Sequence, residues 1–479
     1  MAEIAFKVHD RPLQYVGSQK IDGPLVVVER VRDVGFDELV EIRDASGRVR
    51  LGRVLDVSDT AAVVQVLEGT TGLANLSTRV RFLGENLKLP VSKDMLGRIF
   101  DGLGRAVDGG PLPLSDDRRD INGLPINPYA RRYPREFIQT GISAIDGMNS
   151  LVRGQKLPIF SGNGLPHDRM AAQVVRQARL LEENVSFSIV FAAMGVKHDV
   201  AEFFIRSFEN SGVLARVTMF LSLADAPSVE RLLTPRAACT LAEHLAFDEG
   251  QHVLLLMTDM TNYCESLREV GTARGEIPGR KGYPGYLYSD LASLYERAGR
   301  IEGSNGSVTQ MEILTMPSDD ISHPVPDLTG YITEGQIVID RDLFGRGIYP
   351  PISCLPSLSR LMKDGVGKGF TREDHPKLAS QLFAAYARVK QVRGLADVVG
   401  EEELGTLDKQ YLMFGNAFEH NFLAQGEFEN RSIVQTLEIG WDTISMLPRE
   451  ELRRVTDELL DAHYRADKLA KPDSKGDKN

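Results

Sequence analysis

The rhythm of apolar and polar positions changes three times along this chain. Between residues 20 and 83 short apolar runs at 25–28, 39–42, 49–57 and 61–66 are separated by turn residues such as Asp33, Asp44, Ser46, Gly47, Ser58 and Asp59. Strands this closely spaced predict a small antiparallel barrel or sandwich. The stretch 84–150 is punctuated by Gly102, Gly104, Gly109, Gly110, Pro111 and Pro113, and reads as mostly loop, a linker into the next unit. From about residue 155 strands alternate with helices. The strands are expected at 158–161, 188–193, 217–223, 253–258 and 309–316, and the helices near 168–182, 199–211, 228–247, 262–272 and 289–299. In the first helix Met170, Ala171, Val174, Val175, Ala178 and Leu181 recur at helical spacing. This alternation predicts a parallel sheet covered by helices on both faces. Beyond about residue 370 the strand pattern stops, and 374–399, 406–424, 431–446 and 449–469 read as helices. In the third of these Ile433, Leu437, Trp441 and Ile444 share one face. The polar tail 471–479 is expected to be disordered. The fold class is therefore α/β, in three units: an N-terminal β-barrel over 1–83, a central parallel-sheet domain over 84–365 and a C-terminal helical bundle over 366–479.

Composition narrows the class of function. With 479 residues, 42% hydrophobic and 26% charged, the chain is an ordinary globular protein with room for several cores. No apolar run reaches the roughly 18 residues that would span a bilayer. Residues 1–7 lack a basic region followed by an apolar core, so no secretion signal is expected. A net charge of −11 argues against nucleic acid as a partner. Cys239, Cys264 and Cys354 form no C-x-x-C pair. Neither a disulfide framework nor a metal site is expected, a reducing cytosol is the natural compartment, and all three read as packing residues.

The candidate chemistry lies where the first expected strand meets the first helix. Ser161, Gly162, Asn163, Gly164, Leu165, Pro166, His167 and Asp168 stand where a phosphate-binding loop, G-x-x-x-x-G-K-[ST], belongs. In a working loop glycines free the backbone N–H groups to curl round phosphates, Lys reaches the β/γ-phosphates and the hydroxyl holds Mg²⁺. Here Ser161 takes the first glycine's place and Pro166, which has no N–H, the last. His167 replaces the Lys, and Asp168 puts a repelling carboxylate where the hydroxyl belongs. The plain alternative is a tight strand-to-helix turn without ligand. The apolar run 253–258 ends in Asp259, which reads either as the carboxylate that holds Mg²⁺ through water or as a helix cap. The run 188–194 leads to Gly195 and Val196 on the same sheet edge. A carboxylate at this edge could activate water, and valine cannot accept a proton. Two independent losses argue against hydrolysis in the chain's own pocket. Further on, the stiff proline-rich segment 349–359 leads to Arg360. An arginine there is either a cation reaching the phosphates of a neighbour's site or a surface residue in a salt bridge.

At these residues the sequence resembles the B subunit, the non-catalytic one, of V/A-type rotary ATPases and ATP synthases. The likeness is carried by 137–146, 151–162, 259–265, 276–286, 323–336 and the proline loop ending at Arg360, and covers roughly residues 15–465. Ser353 departs from the family's usual Asp, Asn or His. The resemblance implies a RecA-like central domain and an alternating hexamer of A and B subunits around a central shaft, with a peripheral stalk. It implies that ATP or ADP with Mg²⁺ sits at the interface with the catalytic A subunit, that none is tightly bound to this chain alone, and that Arg360 is the arginine finger. It also implies ATP synthesis or hydrolysis coupled to H⁺ or Na⁺ transport, on the cytoplasmic face of a membrane touched only through the ion-translocating ring. Three other readings compete. A catalytic rotary or secretion ATPase subunit requires the Lys-Thr pair and a Glu after Gly195. A ring-forming RNA helicase requires basic, aromatic-lined strands, and residues 20–83 offer only Phe36 and Phe82. A pure scaffold requires that Arg360 be dispensable.

Overall fold

The computed structural model describes residues 14–18, 20–182 and 185–470. The expected disorder of the tail from Lys471 lies outside the described residues. The N-terminal unit is one antiparallel sheet of seven strands. Leu25–Glu29, Glu38–Arg43, Val49–Val57 and Ala61–Val66 coincide with the four apolar runs, and Arg79–Asn86, Gln14–Val16 and Lys20–Asp22 complete it. Alternation along these strands sends Val26, Val28, Val40, Ile42, Val64 and Val80 into a core of their own.

The central sheet has eight strands, in the order Ile352–Ser359, Gly335–Ile339, Ile159–Gly162, Ser307–Met316, His252–Thr258, Phe187–Val196, Val217–Leu223 and Ile99–Asp101. All pairings are parallel except that of Ile352–Ser359 with Gly335–Ile339. The interior strand His252–Thr258 is apolar from Val253 to Met257 because both faces are covered: Leu254 and Leu256 face one core, Leu255 and Met257 the other. The five expected strands are all present, and each of the five helices is found near its expected place. The first helix, His167–Gln177, stops short of 182, because Arg179–Leu180 pairs instead with Ile138 and Gln139. The helix Ser228–Glu243 continues as a wider π turn over His244–Asp248. The segment 84–150 is mostly loop, yet Ile99–Asp101 within it forms the last strand of the central sheet.

After Val399 the described chain holds no strand. The helices His375–Val399, Thr406–Ala417 and Ile433–Ile444 pack on each other, with Ile433, Leu437, Trp441 and Ile444 buried as one face. The expected helix over 449–469 is a correction. Only Asp457–His463 is α-helical, flanked by the short turns Arg449–Glu451 and Ala466–Lys468. The helix starts only after Thr456, whose backbone is extended at φ −76 and ψ 155. Cys239, Cys264 and Cys354 are free and buried, and burial pushes the thiols of Cys239 and Cys354 up to about 12.

Candidate functional site

The degenerate loop joins Ile159–Gly162 to the helix His167–Gln177, at the carboxyl end of the parallel strands. This is the end at which ligands bind in open α/β sheets. Gly164 adopts φ +79, which the turn requires and which glycine tolerates. Two of the loop's amides are spent within it: Leu165 N–H donates to Gly162 O (3.2 Å) and His167 N–H to Leu165 O (2.9 Å), while Pro166 has none to give. His167 shares a hydrogen bond of 3.0 Å between Nδ1 and Ser161 Oγ, so the residue in the lysine's place is tied back into the loop. Burial raises the Asp168 carboxyl above its ordinary range, and nearby Asp259 and Asp199 add to that while His167 opposes it.

An ion pair not foreseen from the sequence lies across the loop. Arg341 Nε and Nη2 donate to Asp319 Oδ2 and Oδ1 at 2.6 and 2.9 Å, and Nη2 also donates to Asn163 O at 2.9 Å. A Cβ on Gly162 would stand 2.0 Å from Asp319 Oδ1, so any larger residue there would have to push the pair aside. A carboxylate thus rests on the residue that begins the phosphate loop's glycine turn. These residues do not fit a tightly held nucleotide phosphate in the chain's own loop.

Asp259 ends the strand His252–Thr258, as expected, and both its oxygens are engaged within the chain. Oδ1 accepts from Thr261 N–H (2.8 Å), capping the helix Met260–Ala273, and from Thr315 N–H (3.1 Å), and Oδ2 accepts from the Thr315 hydroxyl. Val196 is buried at the end of Phe187–Val196, and Asn262 Nδ2 donates to the carbonyls of Met194 and Gly195 beside it. A groove of about 450 Å³ lies beyond this edge, lined by residues such as Ile99, Ile205, Leu223, Asp225 and Glu230; neither the loop nor Arg360 contributes to it.

Arg360 follows the edge strand Ile352–Ser359 directly, and its side chain is exposed. Among the described residues no carboxylate forms the surface salt bridge that was its plain alternative. Its backbone N–H donates to Glu334 O at 2.9 Å. Ser353, the departure in the proline loop, is buried and its carbonyl accepts from Ser357 Oγ at 2.6 Å. The edge strand runs backwards. Ser359 pairs with Gly335, Ile337 with Ile159, and Lys156 with Gln310, whereas Gly162 pairs with Met316. Arg360 therefore stands level with Lys156 at the amino end of the parallel strands. Six strand residues separate that level from Gly162, a rise of about 20 Å. The structure brings Ser161, Gly162, Asn163, Gly164, Pro166, His167, Asp168 and Asp259 to one end of the sheet and leaves Arg360 at the other.

Comparison with known proteins identifies the family. The description "ATP synthase alpha/beta family, nucleotide-binding domain" matches residues 141–359, "ATP synthase alpha/beta family, beta-barrel domain" matches 18–84, and "C-terminal domain of V and A type ATP synthase" matches 364–464. A V-type ATP synthase beta chain of Halothermothrix orenii is 62% identical over 452 residues, 94% of this chain and 98% of its own length. The chain belongs to the B-subunit family of V/A-type ATP synthases. The V-type ATP synthase beta chain 2 of Treponema pallidum is 63% identical over 94% of each chain, and the A-type ATP synthase B subunit of Aeropyrum pernix 59% over 94% of this chain and 97% of its own. A solved ATP synthase subunit, NeqB from Nanoarcheaum equitans, superimposes with a TM-score of 0.71 at 41% identity, covering 89% of this chain and all of that one. The B-subunit family carries the β-barrel, the nucleotide-binding domain with its parallel sheet and the helical C-terminal domain in this order. Among the described residues no helix is long and apolar enough to cross a membrane.

Proposed function

We propose that this chain is the non-catalytic B subunit of a V/A-type rotary ATPase or ATP synthase, alternating with catalytic A subunits in a hexamer, and that Arg360 acts in trans on the nucleotide of the A subunit. The observation that carries this reading is the placement of Arg360. It is a guanidinium without a carboxylate partner among the described residues, on an exposed edge about 20 Å along the strands from the chain's own loop. An arginine side chain cannot close that gap, so its phosphate must belong to another subunit. At that interface ATP or ADP with Mg²⁺ is held by the partner's loop. This chain supplies a permanently charged fork that meets the charge developing on the phosphoryl oxygens. Its own loop, with the Leu165 and His167 amides spent internally, His167 in the lysine's place and Asp319 laid over Gly162, serves as the strand-to-helix joint and holds nucleotide weakly or not at all. Asp259 serves here as the cap that joins His252–Thr258 to its helix. We further propose domain limits near 83 and 365, and contacts with a central shaft and a peripheral stalk. Catalysis would be coupled to H⁺ or Na⁺ movement through a membrane ring that this chain does not itself enter.

The test is made in rings assembled with the catalytic subunit. Arg360→Ala should leave assembly intact and lower kcat by about 10³–10⁵, the range for a finger supplied in trans. Arg360→Lys should recover little, because a point charge cannot fork. Turnover of the Arg360→Ala ring near the wild-type rate would sink the assignment.

A further inference from the structure

We infer that Gln155 is a positioning residue for Arg360, acting through Ser359 and the carbonyl of Glu334. This inference rests on the reading of Arg360 as the residue that acts in trans. A flexible side chain with no carboxylate partner among the described residues is useful to a neighbouring site only if its backbone is held. Around Arg360 the holding residues Gln155 and Ser359 are buried, and Glu334 is half-buried. Gln155 is fully buried, and its Nε2 donates to Ser359 Oγ at 2.9 Å and to Glu334 O at 3.3 Å. The same Glu334 carbonyl accepts the Arg360 N–H. Ser359 Oγ passes its own proton to Ser150 O at 2.8 Å, so the hydroxyl that receives Gln155 is itself fixed in direction. The other end of Gln155 is tied down as well, since Oε1 accepts Val152 N–H at 3.0 Å.

Glu334 is locked from its side chain. Oε2 accepts Lys156 N–H at 2.8 Å, and Oε1 meets Lys156 Nζ at 3.0 Å. Gly335, next in sequence, sits so close to the returning strand that a Cβ there would lie 1.9 Å from Leu358 O. Two consecutive residues, Gln155 and Lys156, thus fix Ser359, which precedes Arg360, and Glu334, whose carbonyl holds the Arg360 N–H. Gln155 is the discriminating member. It carries no charge and touches no solvent, and its amide is spent on the hydroxyl beside Arg360 and on the carbonyl that holds the Arg360 N–H. A finger misplaced by about 1 Å loses on the order of 10²-fold in rate. Contacts made only in the transition state change kcat and leave KM alone.

The experiment uses full-length chains assembled with the catalytic subunit, with ATP as the varied substrate. Gln155→Leu keeps the bulk and removes both donors. Ser359→Ala removes the acceptor with the loss of one oxygen, and stands in should the Gln155→Leu ring fail to assemble. The expected result is a fall in kcat of about tenfold to a hundredfold at a KM within about twofold of wild type. Added to Arg360→Ala, either change should cost nothing more, because there is no longer a finger to misplace. Wild-type kcat in Gln155→Leu and Ser359→Ala rings, alongside a crippled Arg360→Ala ring, overturns the positioning role and leaves the reading of Arg360 standing. A further loss on top of Arg360→Ala, or a KM that rises with kcat unchanged, also overturns it, since either marks a general effect on the interface. Wild-type turnover in Arg360→Ala itself overturns the reading beneath.

Discussion

Glu312 lies in the middle of the strand Ser307–Met316, fully buried, and neither carboxyl oxygen meets a hydrogen-bond donor among the described residues. Burial raises its pKa to about 8, against the pull of Lys156. A carboxyl whose folded pKa exceeds its unfolded value of 4.5 holds its proton longer in the native state. Its contribution is complete below pH 4.5 and is lost as pH rises towards 8. Asp146, raised to about 7, acts in the same direction. His252 and His375, both lowered to about 4, act in the opposite one: their contribution is present above 6.5 and lost as pH falls towards 4. Above pH 7 Glu312 is the one of these four groups still titrating. Stability to urea should therefore fall by about 2 kcal/mol between pH 6.5 and 8. Glu312→Gln, which carries the neutral shape at every pH, should flatten that slope and stabilise the chain at pH 8. An unchanged slope in the variant would show that another group is responsible. At this scale the sequence was legible only where a motif supplied a frame. Arg360 and the loop residues stood in recognisable runs. Glu312 read as one more polar position, and the Asp319–Arg341 pair had no signal because its partners are 22 residues apart and meet through a fold not yet known.

Elements were legible where their periodicity was strong, and missed where a local breaker was overridden by its place in the sheet. Ile352–Ser359 contains Pro356 and follows Pro350 and Pro351, so it read as a loop. It is a strand because it lies at the sheet edge, where a missing N–H costs no ladder bond. Ile99–Asp101 is only three residues long and gains its identity from Val217–Leu223 beside it. The joint between the central sheet and the helical unit shows the same dependence on partners. Glu419, buried in the π turn Phe418–Leu423, accepts from Arg346 at 2.7 and 3.1 Å, from Arg393 at 2.6 and 3.0 Å and from the Tyr386 hydroxyl at 2.7 Å. These donors hold its carboxylate near pKa 2, far below the usual range despite burial. Its contribution is present above pH 4.5 and is lost as pH falls through 2. Glu419→Gln turns an amide N–H₂ towards guanidinium donors. It should cost about 3 kcal/mol at pH 7, the low end for breaking a buried pair, because Arg346 is half-exposed. Trp441, the chain's single tryptophan, is buried in this unit and donates to Asp374, so its fluorescence reports on the region directly. An unchanged urea midpoint by that signal would show the hub to be dispensable.

The whole molecule separates two tasks that a catalytic subunit must hold in one ring: cradling phosphate and answering its charge. On the proposed reading of Arg360, the first has decayed at the carboxyl end of the sheet while the second persists at the amino end. This separation explains why the sequence disclosed the lost chemistry more readily than the geometry of what replaced it. It also sets the result expected from restoring the loop. His167→Lys with Asp168→Thr returns the phosphate cation and the Mg²⁺ hydroxyl, and removes a carboxylate that lies near Asp259 and Asp199. Affinity for nucleotide should rise, measured by calorimetry on the isolated chain. It should rise only in part, because Pro166 still lacks an N–H and Asp319 still rests on Gly162. Hydrolysis should stay absent in a coupled phosphate assay. Val196 cannot take a proton, and Arg360, about 20 Å along the strands, cannot reach the chain's own site. Unchanged affinity would show that the loop is not a phosphate site in decay. Turnover by the isolated variant would show that some residue other than the one at 196 supplies the base, and would remove the reason for assigning catalysis to a partner.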